Sequence, residues 1–198
     1  MKINVISVLF VTIFLTACSD HSVEDYYPLK LGLNKEYIVV IKAGDKTATG
    51  KRFDRFESVE TFGGKEYLKN VTDYSGLPDF ESHTTYYRIT PKGLYGYLEQ
   101  YPDFPEYLSL PANLDVGTKW QWELPKMKGQ TEVEAIEDAV LFDRSYKDCL
   151  KTVYTGVAKE SDSNLTSTDG YDYLCKEEGE VKSGYTLHYK NGQAVTLT

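Results

Sequence analysis

The sequence predicts a mainly β protein: an antiparallel curled sheet, sandwich or open barrel, built from two similar β repeats. Three observations carry that expectation. Residues 118–124 alternate cleanly, with Trp120, Trp122 and Leu124 on one face and Lys119, Gln121 and Glu123 on the other, the period-two pattern of a half-buried strand. Gly63-Gly64 and Asn191-Gly192 stand between such runs as hairpin turns, where glycine meets a positive φ without steric cost. The chain also resembles itself. Leu29-Lys-Leu-Gly32 with Tyr37 matches Leu114-Asp-Val-Gly117 with Trp122, Leu68-Lys-Asn-Val71 matches Leu150-Lys-Thr-Val153, and Tyr87 to Gly93 matches Tyr173 to Gly179.

In order, the first half reads as strands over 36–42, 66–74, 84–90 and 93–100. The second reads as strands over 118–124, 130–139, 147–154, 171–176, 181–189 and 193–197. Seventeen tyrosines raise the β propensity of both halves. Residues 132–141 also fit a helix with Val133, Ile136 and Val140 on one side, because they alternate poorly as a strand. The repeats are expected over 26–100 and 108–189, joined by the proline-bearing connector 101–107.

Several strands are apolar on both faces. Tyr37, Val39 and Ile41 oppose Ile38 and Val40; Leu94 and Leu98 oppose Tyr95 and Tyr97. A sheet with one wet face would alternate. These strands need cover on both sides: a second sheet, a partner protein, or a cavity holding an apolar ligand.

The N-terminus has a different character. Lys2 precedes an apolar run to Leu15, too short for a comfortable membrane span and shaped like a signal peptide. Leu15-Thr16-Ala17-Cys18 resembles the lipobox of bacterial lipoproteins. The resemblance implies diacylglyceryl transfer to the Cys18 thiol, cleavage between Ala17 and Cys18, and a membrane held by acyl chains such as palmitate. Ser19 rather than Asp follows the cysteine, which by that family's sorting rule implies the outer membrane, on its periplasmic or its surface face. The expected organisation is a signal peptide 1–17, a lipidated tether 18–25 and one β-rich domain 26–198. Pro28-Leu-Lys-Leu-Gly32 and its echo Leu114-Asp-Val-Gly-Thr-Lys-Trp120 are also similar to segments of uncharacterised β-rich outer-membrane lipoproteins, which bring no activity with them.

Removing residues 1–17 leaves 21 basic against 30 acidic residues, a formal charge of −9. Such a surface repels phosphate backbones, so no nucleic acid is expected as partner. Cys149 and Cys175 remain as a possible disulfide, with two buried free thiols as the competing reading. His21, His83 and His188 stand in no ligand spacing, so no metal or cofactor is expected. Residues 162–173 lack the glycine and bidentate Glu of a calcium loop. No catalytic motif is present, and carboxyl pairs such as Asp138 and Asp143 arise freely in an acidic chain. The expectation is a non-enzymatic binding or interaction module for an envelope protein. A carrier or sensor of a lipid-like ligand, similar to periplasmic lipoprotein carriers in architecture, is the alternative. An envelope hydrolase is the third and weakest.

Overall fold

The computed structural model of the protein describes residues 21–159 and 164–198. A four-residue helix, α1 (Val23–Tyr26), precedes twelve strands: β1 (Asn34–Ala43), β2 (Lys46–Phe62), β3 (Lys65–Ser75), β4 (His83–Thr90), β5 (Gly93–Leu98) and β6 (Tyr107–Pro111), then β7 (Lys119–Glu123), β8 (Met127–Leu141), β9 (Arg144–Ala158), β10 (Leu165–Cys175), β11 (Gly179–Tyr189) and β12 (Ala194–Leu197). All belong to one antiparallel sheet in the order β6-β5-β4-β3-β2-β1-β12-β11-β10-β9-β8-β7. The sheet curls into a nearly closed barrel. Its two edge strands, β6 and β7, come together without a backbone ladder. Instead the Trp120 indole Nε1 donates to the Ser109 carbonyl across the seam at 3.1 Å.

The order exposes the internal duplication. Each half is a six-strand meander, and the halves join where β1 meets β12. Corresponding turns agree in detail. Gly32 donates to the Phe56 carbonyl and Phe56 back to Leu33; Gly117 donates to Val133 and Val133 back to Thr118. Both glycines take positive φ, 80° and 88°, which only glycine adopts without strain. A bulge follows each partner, after Phe56 in β2 and after Val133 in β8. Leu68 and Leu150 then occupy equivalent places, opposite Val59 and Ile136.

The third sequence match slips by one residue. Tyr87 lies opposite Leu68, whereas Leu150 lies opposite Leu174 and not Tyr173. Tyr87 therefore faces inward and Tyr173 outward, because one residue changes the face of a strand. The halves also divide later than expected. Strand β6 completes the first meander and β12 the second, so residues 101–107 lie within the first half.

One end of the barrel is plugged. Val23 and Tyr26 of α1 pack with Leu94, Leu114, Val133 and Leu150 in a core whose members are almost fully buried. Burying each such side chain is worth about 1.5–3 kcal/mol. The packed region thus begins before residue 26: Val23, expected in the tether, is fully buried.

Two strands escaped the sequence reading. Strand β2 carries Arg52 and Asp54 on its inward face, opposite Tyr74 and Thr72, so its alternation does not read as apolar against polar. Strand β6 spans five residues. Residues 132–141 are strand and not helix; bulges between Val133 and Ala135 and between Glu137 and Ala139 break their period.

Of the two-sided strands, β5 finds cover on both faces without a second sheet, whereas Ile38 on the outer face of β1 stays 53% exposed. Inward-facing Leu94 joins the plug. On the outer face, Tyr97 packs with Phe62, Tyr67 and Tyr86, centroids 6.0–6.4 Å apart. Around that cluster the Glu106 carboxylate receives Arg88, Lys65 and Tyr67, which together hold its pKa down at about 2.

Candidate functional site

A barrel of about eight strands is just filled by its own side chains, and more strands leave space. Here the alternation of β9, β10 and β11 sends Thr152, Tyr154, Asp172 and Tyr185 inward, with Asp172 opposite Thr152 and Tyr154 opposite Gly170. Strand β7 adds Trp122, directly opposite Gly129, which is itself opposite Gly156. The indole lies flat over this pair of glycines. A Cβ built on Gly129 would come within 2.3 Å of the ring, and one on Gly156 within 2.6 Å. The two positions are glycine because the ring occupies that space.

Beside Trp122, where β6 and β7 fail to pair, a cleft of about 330 Å³ enters the barrel. Tyr107, Tyr154 and Tyr185 form its aromatic walls with Trp122, Leu108, Met127 and Leu187 add apolar surface, and Asp172 lies at its floor. Further inward, Tyr87 lies beside Tyr107 and packs on Tyr27, ring centroids 5.5 Å apart. Tyr154 and Tyr107 have their pKa values raised by burial, and Tyr185 is pushed up to about 12, so all three stay neutral.

Behind the cleft is a compact charge cluster. The Arg52 guanidinium meets Glu180 at 2.7 Å and Asp54 at 3.0 Å, and stacks on the Tyr37 ring 4.0 Å from its centroid. Thr72 donates to Asp54 at 2.9 Å and Ser183 to Glu180 at 3.2 Å. Lys35 and the Tyr37 hydroxyl both donate to the Glu180 carbonyl. Asp172 lies deep in the barrel yet keeps part of its surface on the cleft. Burial, and next the negative charge of Glu180, raise its pKa to about 8, against the opposing pull of Arg52 and a hydrogen bond with Thr152. Arg52 Nε and the Asn70 side-chain oxygen are buried without a hydrogen-bond partner among the described residues. Such groups cost about 1–3 kcal/mol each unless something meets them.

A second opening lies between β1 and β11, below the short β12. It is a cleft of about 520 Å³ that reaches Tyr37, Arg52, Tyr74 and Tyr185. The β8–β9 hairpin overhangs it with Leu141 and Phe142. Phe142 is 86% exposed and takes φ 53°, a conformation rare for a bulky residue. Tyr185 lines both openings.

Of the sequence-predicted site residues, Ala17 and Cys18 lie outside the described residues. Cys149 and Cys175 stand opposite each other in β9 and β10 and are joined by a disulfide, buried with Ala139. His21 stacks on Tyr26, His83 lies beside Tyr74, and His188 pairs with Asp169 on the outer face at 2.5 Å. Asp138 pairs with Lys147, and Asp143 lies on the β8–β9 hairpin. None of these lines the 330 Å³ cleft. The sequence reading missed the cleft residues; its strands 130–139, 147–154 and 171–176 stop short of Gly129, Gly156 and Gly170, and only the longer β8, β9 and β10 make these mid-strand glycines, which mark a close approach.

No family model matches the chain, and no curated protein matches it. Among solved structures it is similar to a protein from Bacteroides fragilis taken to be exported and described as having a YmcC-like fold. The TM-score is 0.53 at 9% identity, covering 87% of this chain and 96% of that one. At that identity the likeness extends to the fold alone. A protein from Parabacteroides distasonis, taken to be a lipoprotein, aligns more loosely, with a TM-score of 0.38 at 13% identity over 87% of this chain and 98% of that one.

Proposed function

We propose that this chain is a lipid-anchored protein of the bacterial cell envelope, held on the outer membrane through Cys18, whose barrel binds a small amphipathic ligand without transforming it. The observation that carries the reading is the cleft beside Trp122. Its walls are aromatic and aliphatic, its floor is a carboxyl group, and behind it Arg52 Nε and the Asn70 side-chain oxygen are buried without hydrogen-bond partners among the described residues. That composition suits a ligand with an apolar body and a polar end. The anchor rests on the Leu15-Thr16-Ala17-Cys18 lipobox, and the description of the Bacteroides fragilis relative as exported supports an envelope location.

The non-enzymatic reading rests on the chemistry of the lining. Tyrosine and threonine hydroxyls, one indole and one carboxyl set among apolar side chains are groups that hold and orient a ligand. Docking of an envelope protein is the second reading, favoured by the exposed apolar hairpin that carries Phe142 and Val140, 86% and 69% exposed. A neutral apolar fluorophore, N-phenyl-1-naphthylamine, separates the two. Ligand binding predicts saturable fluorescence enhancement by the native protein that falls at least tenfold in affinity in Trp122→Ala and is unchanged in Phe142→Ser. No saturable binding, or loss only in Phe142→Ser, would contradict it.

A further inference from the structure

The cleft's charge balance narrows the ligand further. The charged side chains gathered behind and beneath it are Lys35 and Arg52 against Asp54, Asp172 and Glu180. Arg52 is shared between Asp54 and Glu180, and Lys35 is spent on the carbonyls of Glu178 and Glu180. Among the described residues, that leaves Asp172, the one carboxyl on the cleft lining, with no cation of its own. Its other neighbour on β9 is the Thr152 hydroxyl. Above it stand Trp122, Tyr107, Tyr154 and Tyr185. Aromatic faces carry negative quadrupole potential, and a cluster of them around a desolvated site attracts an organic cation.

We infer that the cleft selects amphipathic ligands with a cationic head, an alkylated amine or ammonium group seated among Trp122, Tyr107, Tyr154 and Tyr185 over the Asp172 carboxylate. This rests on the proposal that the cleft binds a ligand at all, and adds which class it takes. The cation supplies the charge the cluster lacks. At neutral pH and below, Asp172 holds a proton without it; with it, the proton is released and the pair forms. Glu180 faces Asp172 from β11, across Arg52 from Asp54 on β2, and its negative charge favours a cation further. Arg52 opposes it from β2, but is already committed to those two carboxylates.

The test is a titration of tryptophan fluorescence in the full chain, held in neutral maltoside micelles, with three small probes: benzyltrimethylammonium, benzyl alcohol and benzenesulfonate. At pH 9 the ammonium is expected to bind at least tenfold more tightly than the alcohol, and the sulfonate more weakly than either. At pH 6 the ammonium's advantage shrinks severalfold, because binding must then expel the Asp172 proton. Asp172→Asn, an isostere of the protonated residue, should abolish the ammonium's advantage over the alcohol at pH 9. Equal binding of ammonium and alcohol at pH 9, or an advantage that survives Asp172→Asn, would overturn the cation assignment and leave the ligand-binding proposal standing. Failure of all three probes to bind would overturn both.

Discussion

Asp172 is the residue on which most of the site's chemistry turns. Its folded-state pKa of about 8 lies far above the ~3.9 of an aspartate in an unfolded chain. Between those values the folded protein holds a proton that the unfolded chain has lost. Stability therefore falls as pH rises from about 4 to about 8, and this contribution is flat outside that window. Asp172→Asn removes the titration. Urea unfolding of wild type and variant at pH 5 and pH 8 should show the wild type losing more stability than the variant across that interval; equal losses would mean Asp172 is ionised throughout. Glu106 works in the opposite sense. Its pKa near 2 means that the Arg88 and Lys65 pairs stabilise at neutral pH, and that their contribution is lost as pH falls through about 4 to 2. Because the group is partly solvated, that contribution is about 1 kcal/mol at most.

Legibility in the sequence varied with the chemistry of each strand's inward face. Residues 118–124 could be read directly, because β7 sets tryptophan against lysine and glutamate. Strand β2 could not, because its inward face holds Arg52 and Asp54 as members of a buried ion cluster, a pattern that looks solvated in one dimension. Strand β8 was ambiguous for another reason: its two bulges reset the alternation, and a reset period of two passes for a helical one. Disulfide or free thiols was open for Cys149 and Cys175 from spacing alone; the β9–β10 register places them opposite each other. The cleft was hidden because its makers, Trp122, Tyr154, Asp172 and Tyr185, come from four strands that only the barrel brings together. Glycine is the element-level device that makes room for them. Gly156→Val should push the Trp122 ring into the cleft, since even a Cβ there would lie 2.6 Å from it. Overpacking of this kind costs about 1–3 kcal/mol. N-phenyl-1-naphthylamine binding should fall at least tenfold while the far-ultraviolet β signal persists. Undiminished binding would place the ligand elsewhere.

At the scale of the whole molecule, two six-strand meanders close on each other at one paired junction, β1 with β12, and one unpaired seam, β6 with β7. The paired junction is incomplete because β12 covers only part of β1 and β11, leaving the hairpin-covered opening. The unpaired seam leaves the aromatic cleft. The barrel therefore opens at both junctions of its duplicated halves, and both openings reach Tyr185. Sheet edges left open in this way invite pairing with other chains; the Trp120 to Ser109 bond guards the seam. A lipid on Cys18 would keep that seam close to a membrane surface. Cys18→Ala is expected to move the protein from the membrane to the soluble fraction on cell fractionation. Retention in the membrane would refute the anchor.

A ligand carried in the barrel would show in the native mass spectrum of the protein purified from its own envelope, recorded alongside Gly156→Val. Ligand binding predicts a discrete added mass on the wild type, beyond the acyl chains, that organic extraction removes and that the variant lacks. A wild-type spectrum showing only polypeptide and acyl chains, identical to that of Gly156→Val, would contradict it.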